Sequence, residues 1–179
     1  MSKDFISKAQ KYASHHTQKI TKITHFIGIP TIIFSLMIFF SFIKIVVPNV
    51  FNISVSYILI ILLLAYYLKV QWQLALTAAP LFFLLNYLAS LIAANGPTTA
   101  SFEIFFLFFI FGWIIQLVGH FYEKNRPPFI DNLTQIFIAP LFIISELYFH
   151  FGMMHELYLK IYDIEMQLVY NNLEYSAPS

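Results

Sequence analysis

The stretch "FIGIPTIIFSLMIFFSFIKIVV", residues 26 to 47, has 22 residues and one charged side chain, Lys44, near its end. A helix needs about 20 mostly apolar residues to cross the hydrocarbon core of a bilayer. A terminal lysine can extend its ammonium to the headgroups. Backbone groups in lipid must hydrogen-bond within their own segment, so a run this long without period-two alternation reads as a helix and not as a barrel strand. Pro48-Asn49 then breaks it.

The same pattern repeats outward from this run. Residues 50–68 form a second apolar run, followed by the polar link "KVQ". Residues 72–94 form a third, with Pro80 and Asn86 inside it, and "NGPTTAS" (95–101) signals a turn. Residues 102–118 form a fourth, opened by Ser101 and Glu103 as capping residues. A polar island, "GHFYEKNRPPFIDN" (119–132), separates it from a fifth run, 133–151, which carries Pro140 and Glu146. The tail from residue 152 is mixed and more acidic. Of the 179 residues, 59% are hydrophobic and 11% charged, whereas a soluble domain has about a quarter of its residues charged. With no repeat and no linker, the expected architecture is all-α: one polytopic membrane helix bundle of four to five transmembrane helices spanning 1–179. It divides into an amphipathic N-terminal segment (1–25), the bundle (26–151) and the tail (152–179).

Composition also excludes. The chain has no cysteine, so disulfides and thiolate metal sites are out. A net charge of +1, without a basic patch interleaved with exposed aromatics, gives no footprint for nucleic acid. The polar first 25 residues do not have the pattern of a cleavable signal peptide.

Charge predicts orientation. Lys3, Lys8, Lys11, Lys19 and Lys22 stand against one acid, Asp4, before the first run, which places that end in the cytoplasm. Four crossings return Lys69, Lys124 and Arg126 to the same side, and the loops 48–54 and 95–101 carry no Lys or Arg. If the fifth run crosses, the tail faces outside. Pro140 and Glu146 leave a re-entrant or surface-lying helix as the alternative. A bacterial inner membrane or an endoplasmic-reticulum membrane fits this arrangement.

Topology then gathers chemistry on the cytoplasmic face. His15, His16 and His25 lie at one end of the first helix, and His120 and Glu123 at the corresponding end of the fourth. His120 and Glu123, at i and i+3, project from one side of a helix. Two histidines and a carboxylate with open positions suit non-haem Fe(II) and oxygen. His16 and His25 are nine residues apart, about 2.5 helical turns, and so face opposite ways on one straight helix. Both can reach one ion only if the chain breaks between them, and the β-branched "TKIT" (21–24) would tolerate such a break. His15 and His16 diverge by about 100° on a helix, so one of them faces any given site. The plainer reading is that these histidines are amphipathic anchors at the interface. Glu146, inside an apolar run, needs a partner, and His150 at i+4 is the local one. Arg126 is either a bidentate clamp for a carboxylate or an ordinary cytoplasmic charge. Asn132 and Gln135 are placed to cap the next helix or to hydrogen-bond a ligand histidine. His155 has no supporting context. The 21 phenylalanines line lipid or core, and would also wall an acyl chain.

The segments "HTQKITKITHFIGIP" (16–30) and "GHFYEKNRPPFIDNLTQIFIAPLFIISE" (119–146) together resemble the small membrane family named for the fungal 2-hydroxy-palmitate dioxygenase. The likeness covers roughly residues 10–151. It rests on His-x8-His before a small apolar-Pro turn, then Gly-His, Glu, a basic-Pro loop, Asn, Gln, Ala-Pro-Leu-Phe and a late Glu. The resemblance implies an Fe(2+)-dependent dioxygenase of fatty-acid α-oxidation, using O2 to convert a 2-hydroxy fatty acid to an acid one carbon shorter. It maps the family's essential histidines onto His16, His25 and His120, with His15 as the alternative to His16 as metal ligand, and Glu123 onto the acidic position. Arg126 or a neighbouring lysine, with Asn132, would hold the substrate. Many members carry Asn-Pro-x-Asn between the first two histidines where this chain reads "TQKIT"; no histidine is lost. Two other classes remain at this stage: a metal-dependent lipid hydroxylase or hydrolase, and a non-enzymatic membrane scaffold or transporter. A transporter would carry polar groups near the midplane of several helices, whereas here they collect at one face.

Overall fold

The computed structural model describes residues 3–49, 51–124 and 134–162. Its helices are α1 (Lys3–Ser14), α2 (Lys19–Ser41), α3 (Val55–Ile92), α4 (Thr99–Glu123), α5 (Gln135–His150) and α6 (His155–Tyr162). A two-stranded hairpin, β1 (Lys44–Val47) and β2 (Phe51–Ser54), joins α2 to α3. The helical expectation holds, and this hairpin is its one exception among the described residues. Lys44 to Val47, expected at the end of the first span, pair antiparallel with residues 51–54, and Asn49 supplies the left-handed turn residue at φ 60°. The run of four β-branched or long side chains after Phe42 suits a strand once the helix has ended.

Three helices are long and apolar enough to cross a membrane, or four if the bent pair α5–α6 counts as one span. The chain is thus built as a multi-pass membrane protein. The longest, α3, has 38 residues. A straight helix of that length would reach about 57 Å, nearly twice the hydrocarbon thickness. It is not straight. Gln71 adopts φ −156°, ψ 91°, an extended conformation inside the helix. The two arms double back: Tyr67 and Phe82 have ring centroids 6.2 Å apart. Lys44, paired across the hairpin with Ser54 at the start of α3, extends its Nζ to within 3.4 Å of the Ala94 carbonyl just past its end. The polar link "KVQ" therefore lies at the vertex of two arms, matching the second and third apolar runs.

The first span starts earlier than its apolar run. Helix α2 begins at Lys19, and α1 lies before it with Phe5, Ala9, Tyr12 and Ala13 buried. That spacing of four, three and one residues makes a single apolar stripe. Helix α4 opens with a capping box in which Thr98, not Ser101, is the N-cap and Ser101 is its reciprocal partner; Glu103 is exposed.

The fifth run does not behave as a full crossing. Helix α5 has 16 residues, about 24 Å. Its Phe137 carbonyl accepts from Tyr67 Oη at 2.8 Å, and its Tyr148 hydroxyl meets Thr77. Tyr67 and Thr77 flank the vertex at Gln71, so both ends of α5 stay in the same half of the bundle. After a 120° bend, α6 packs back on α1, where Gln10 Nε2 donates to the Lys160 carbonyl at 2.8 Å. The chain through residue 162 therefore returns to the face that holds α1, in line with the re-entrant alternative. Glu146 is satisfied by Lys22 Nζ at 2.8 Å and by the Tyr162 hydroxyl, not by His150, which is exposed. This cluster ties α2, α5 and α6 together.

Candidate metal centre

Helices α2 and α4 come close because glycines face each other. A Cβ on Gly112 would lie 2.7 Å from Ile32 Cγ1 and 3.2 Å from the Gly28 carbonyl oxygen; on Gly28, 2.7 Å from Gln116 Cγ. On Gly119 it would lie 2.1 Å from Thr24 Oγ1 and 3.3 Å from His25 Nδ1. Small residues at a helix crossing let backbones approach in lipid, where dispersion rather than water expulsion drives packing. One turn beyond this contact His25 and His120 meet.

The break that the nine-residue spacing demands is present, but at residues 15–18 and not at "TKIT". Helix α1 ends at Ser14 and α2 starts at Lys19, leaving His16 on irregular backbone between them. Glu123 explains the position. Its Oε1 accepts from the Thr17 backbone N–H (2.9 Å) and hydroxyl (2.6 Å). Its Oε2 accepts from the Gln18 N–H (3.1 Å) and the Thr21 hydroxyl (2.6 Å). A carboxylate at a helix N-terminus satisfies N–H groups that have no intrahelical acceptor and meets the positive end of the dipole. Gln18, the N-cap of α2, supplies no side-chain cap of its own, so a residue on α4 does this work.

His16, His25 and His120 are all buried, and each offers a ring nitrogen within 4.8 Å of the other two. The ring centroids are 4.4 Å (His16–His25), 4.7 Å (His25–His120) and 5.3 Å (His16–His120) apart. His16 Nδ1 lies 2.6 Å from the Tyr12 carbonyl and His25 Nδ1 lies 2.8 Å from the Thr21 carbonyl. A carbonyl only accepts, so both Nδ1 atoms carry the proton and both Nε2 atoms keep their lone pair. Metal-binding histidines are held the same way, the ring N–H opposite the metal donating to a carbonyl or carboxylate that fixes the ring. Tyr12, which the sequence reading did not single out, also stacks on His16 with centroids 4.0 Å apart and planes 6° from parallel. Burial, with the neighbouring His25 adding to it, pushes the His16 imidazole down to about 3, which keeps it in the neutral form a metal requires.

The donor set fits a divalent cation. His16 Nε2 and His120 Nδ1 are buried without a hydrogen-bond partner, and each such orphan costs roughly 1–3 kcal/mol. His25 Nε2 and His120 Nε2 face each other at 3.0 Å. Three neutral imidazoles with no thiolate suit Fe, Zn, Cu or Ni, and three protein ligands leave positions open for a substrate.

The structure also sorts the other sequence candidates. His15 is outside the cluster: its Nδ1 bonds the Lys11 carbonyl at 2.8 Å, one turn back along α1. Glu123 is outside it too, with both oxygens engaged by four donors, so the arrangement is three histidines and not two histidines with a carboxylate. Arg126 and Asn132 lie outside the described residues.

An apolar cavity of about 300 Å³ opens from the cluster between α2, α4 and α5. His25, His120, Tyr12, Gln116 and Gln135 form its polar end, and Ile32, Leu36, Phe109 and Trp113 line its apolar wall. That volume lies at the lower end of the usual range for small-molecule sites.

With this geometry in place, comparison with known proteins is specific. A family model described as 2-hydroxy-palmitic acid dioxygenase Mpo1-like matches residues 2–151. The Saccharomyces cerevisiae protein named 2-hydroxy-palmitic acid dioxygenase MPO1 is 32% identical over 174 residues, covering 92% of this chain and 95% of the yeast protein. No solved structure matches significantly. All three clustered histidines fall within the matched region, and the chain belongs to the Mpo1-like family.

Proposed function

We propose that this protein is an Fe(2+)-dependent dioxygenase that converts a 2-hydroxy fatty acid to the acid one carbon shorter. The observation that carries the reading is the three-histidine cluster, with two Nε2 lone pairs held bare by backbone carbonyls, at the polar end of an apolar cavity in a chain of this family. His16, His25 and His120 would hold the iron. When bound, iron would supply one-electron chemistry with O2 next to the carboxylate and 2-hydroxyl of the substrate. The protein's part is orientation and exclusion of water. Tyr12 and Thr21 hold the two Nδ1–H groups, Glu123 holds the chain break, and the Ile, Leu, Phe and Trp wall takes the hydrocarbon.

One balance needs no outside reductant and reduces O2 completely. The C1–C2 bond breaks, O2 is fully reduced, C2 becomes the new carboxyl carbon, and C1 leaves as carbon dioxide with one water. The histidine face is assigned to the cytoplasm by the lysines of the N-terminal segment, with residues 1–179 acting as one membrane domain.

The test is purified protein in detergent, its metal content measured, incubated with 2-hydroxypalmitate and O2 with Fe(2+) or with a chelator. Iron-dependent formation of pentadecanoate is expected. Iron-loaded protein that leaves the substrate untouched sinks the reading.

A further inference from the structure

One side chain at the cavity has no role in the cluster. Gln135, the first residue of α5, is 1% exposed, and neither its Nε2 nor its Oε1 has a partner. It lines the cavity together with His25 and His120. It does not cap its helix: Thr134 is the N-cap of α5, and no side-chain cap bond is made there. A buried primary amide left unpaired costs roughly 1–3 kcal/mol, and the natural way to recover that is a ligand. The amide offers two donors and an acceptor at one point. That matches a 2-hydroxy carboxylate, whose anionic oxygens accept and whose hydroxyl donates.

The cavity also has an apolar neighbour. A second cavity of about 170 Å³ shares Ile33, Leu36, Ile136 and Pro140 with the first. Beyond these four it runs along α2 and the first arm of α3 among Phe40, Leu59 and Leu63. Ile136 and Phe137, exposed on the outer surface of α5, border it where lipid would lie. The two volumes adjoin along these four residues, with polar side chains at the head of the first and apolar ones along the second.

We propose that Gln135 holds the polar head of the substrate beside the histidines, and that the hydrocarbon tail passes Leu36 into the second cavity. This rests on the proposed function for the identity of the substrate. It makes Gln135 a substrate-contacting residue and Leu36 a determinant of chain length.

The test is equilibrium binding of radiolabelled 2-hydroxypalmitate and 2-hydroxyoctanoate to the purified full-length protein without oxygen, alongside steady-state kinetics and metal content. Gln135→Leu, similar in volume, should weaken binding and raise KM by at least about tenfold, the loss expected for one hydrogen bond to a charged group, with metal content unchanged. Gln135→Glu should bind more weakly still, because carboxylate then faces carboxylate; it provides the answer if Gln135→Leu does not fold. Leu36→Trp should lower the ratio of long-chain to short-chain affinity at least fivefold. Unchanged affinity in both Gln135 variants, or loss of metal in Gln135→Leu, overturns the head assignment. An unchanged ratio in Leu36→Trp overturns the tail path. Wild-type protein that binds the acids without turning them over overturns the proposed function instead, and the binding measurements still decide on Gln135. Wild-type protein that binds neither acid overturns both.

Discussion

The Nε2 atoms of His25 and His120 stand 3.0 Å apart although 95 residues separate them in the chain. Two bare imidazole lone pairs at that distance repel unless a proton or a cation lies between them. His25 Nδ1 is committed to the Thr21 carbonyl, so His25 cannot supply the proton. Either His120 donates from Nε2, leaving its buried Nδ1 bare, or a cation takes both lone pairs.

Substitution of the cluster separates its members from their neighbours. Alanine at His16, His25 or His120 should remove bound iron and lower turnover by at least a hundredfold in protein that remains monodisperse. His15→Ala should retain iron, since its ring is turned back to Lys11. Metal analysis of the four variants checks this; iron retained in His120→Ala, or lost in His15→Ala, contradicts the assignment.

Glu123 acts on the site through the backbone it holds. Glu123→Ala leaves the Thr17 and Gln18 N–H groups without their acceptor at the start of α2, a loss of about 2–3 kcal/mol for charge-assisted bonds at a partly buried position. His16 sits next to that segment, so iron affinity should fall by about 10–100-fold, the usual effect of losing a group that positions a metal ligand. Iron titration of Glu123→Ala and Glu123→Gln measures it, and Gln should recover part of the loss because it keeps one acceptor. Total loss of iron in both would instead make Glu123 a ligand.

Gly119 sets the approach of α4 to α2. Gly119→Ala places a methyl 2.1 Å from Thr24 Oγ1, which only a displacement of the helices or a rotation of Thr24 relieves. Overpacking of this kind costs about 1–3 kcal/mol. Iron affinity should drop, and the double variant Gly119→Ala, Thr24→Ala should recover most of it. Absence of recovery would place the clash elsewhere.

Lys22 and Glu146, with Tyr162, fasten α5 and α6 to α2. Both charged side chains are part-exposed, at 34% and 22%, so the pair is worth about 1–2 kcal/mol. Lys22→Met leaves Glu146 without its cation and should lower the thermal midpoint more than the double variant Lys22→Met, Glu146→Leu does. A double-mutant cycle on the melting temperature reads the coupling. Additive single effects would mean that the pair contributes nothing.

Much of this was legible before folding. The apolar runs gave the crossings, including the turn at "KVQ" that divides α3, because hydropathy sums over a local window. Counting crossings then brought His16, His25 and His120 to one face, and the nine-residue spacing required a break between the first two. The location of that break was not legible. It sits at 15–18 because Glu123, 105 residues after Gln18, caps α2 there. The same blindness to distant partners hid Lys22 as the counter-ion of Glu146. It also hid Tyr12 as both the acceptor and the stacking platform for His16.

The sequence by itself therefore determined a polytopic helical chain with four of its six histidines gathered at one membrane face, because lipid leaves an apolar run of this length few choices but a hydrogen-bonded helix. Only the tertiary structure decided that His15 and Glu123 stand outside the cluster, that α5 turns back toward α1, and that an unpaired Gln135 lines the cavity. Those outcomes depend on contacts of a few ångströms between distant segments, where three glycines set how closely two helices approach and a single carboxylate chooses which backbone amides a helix leaves free.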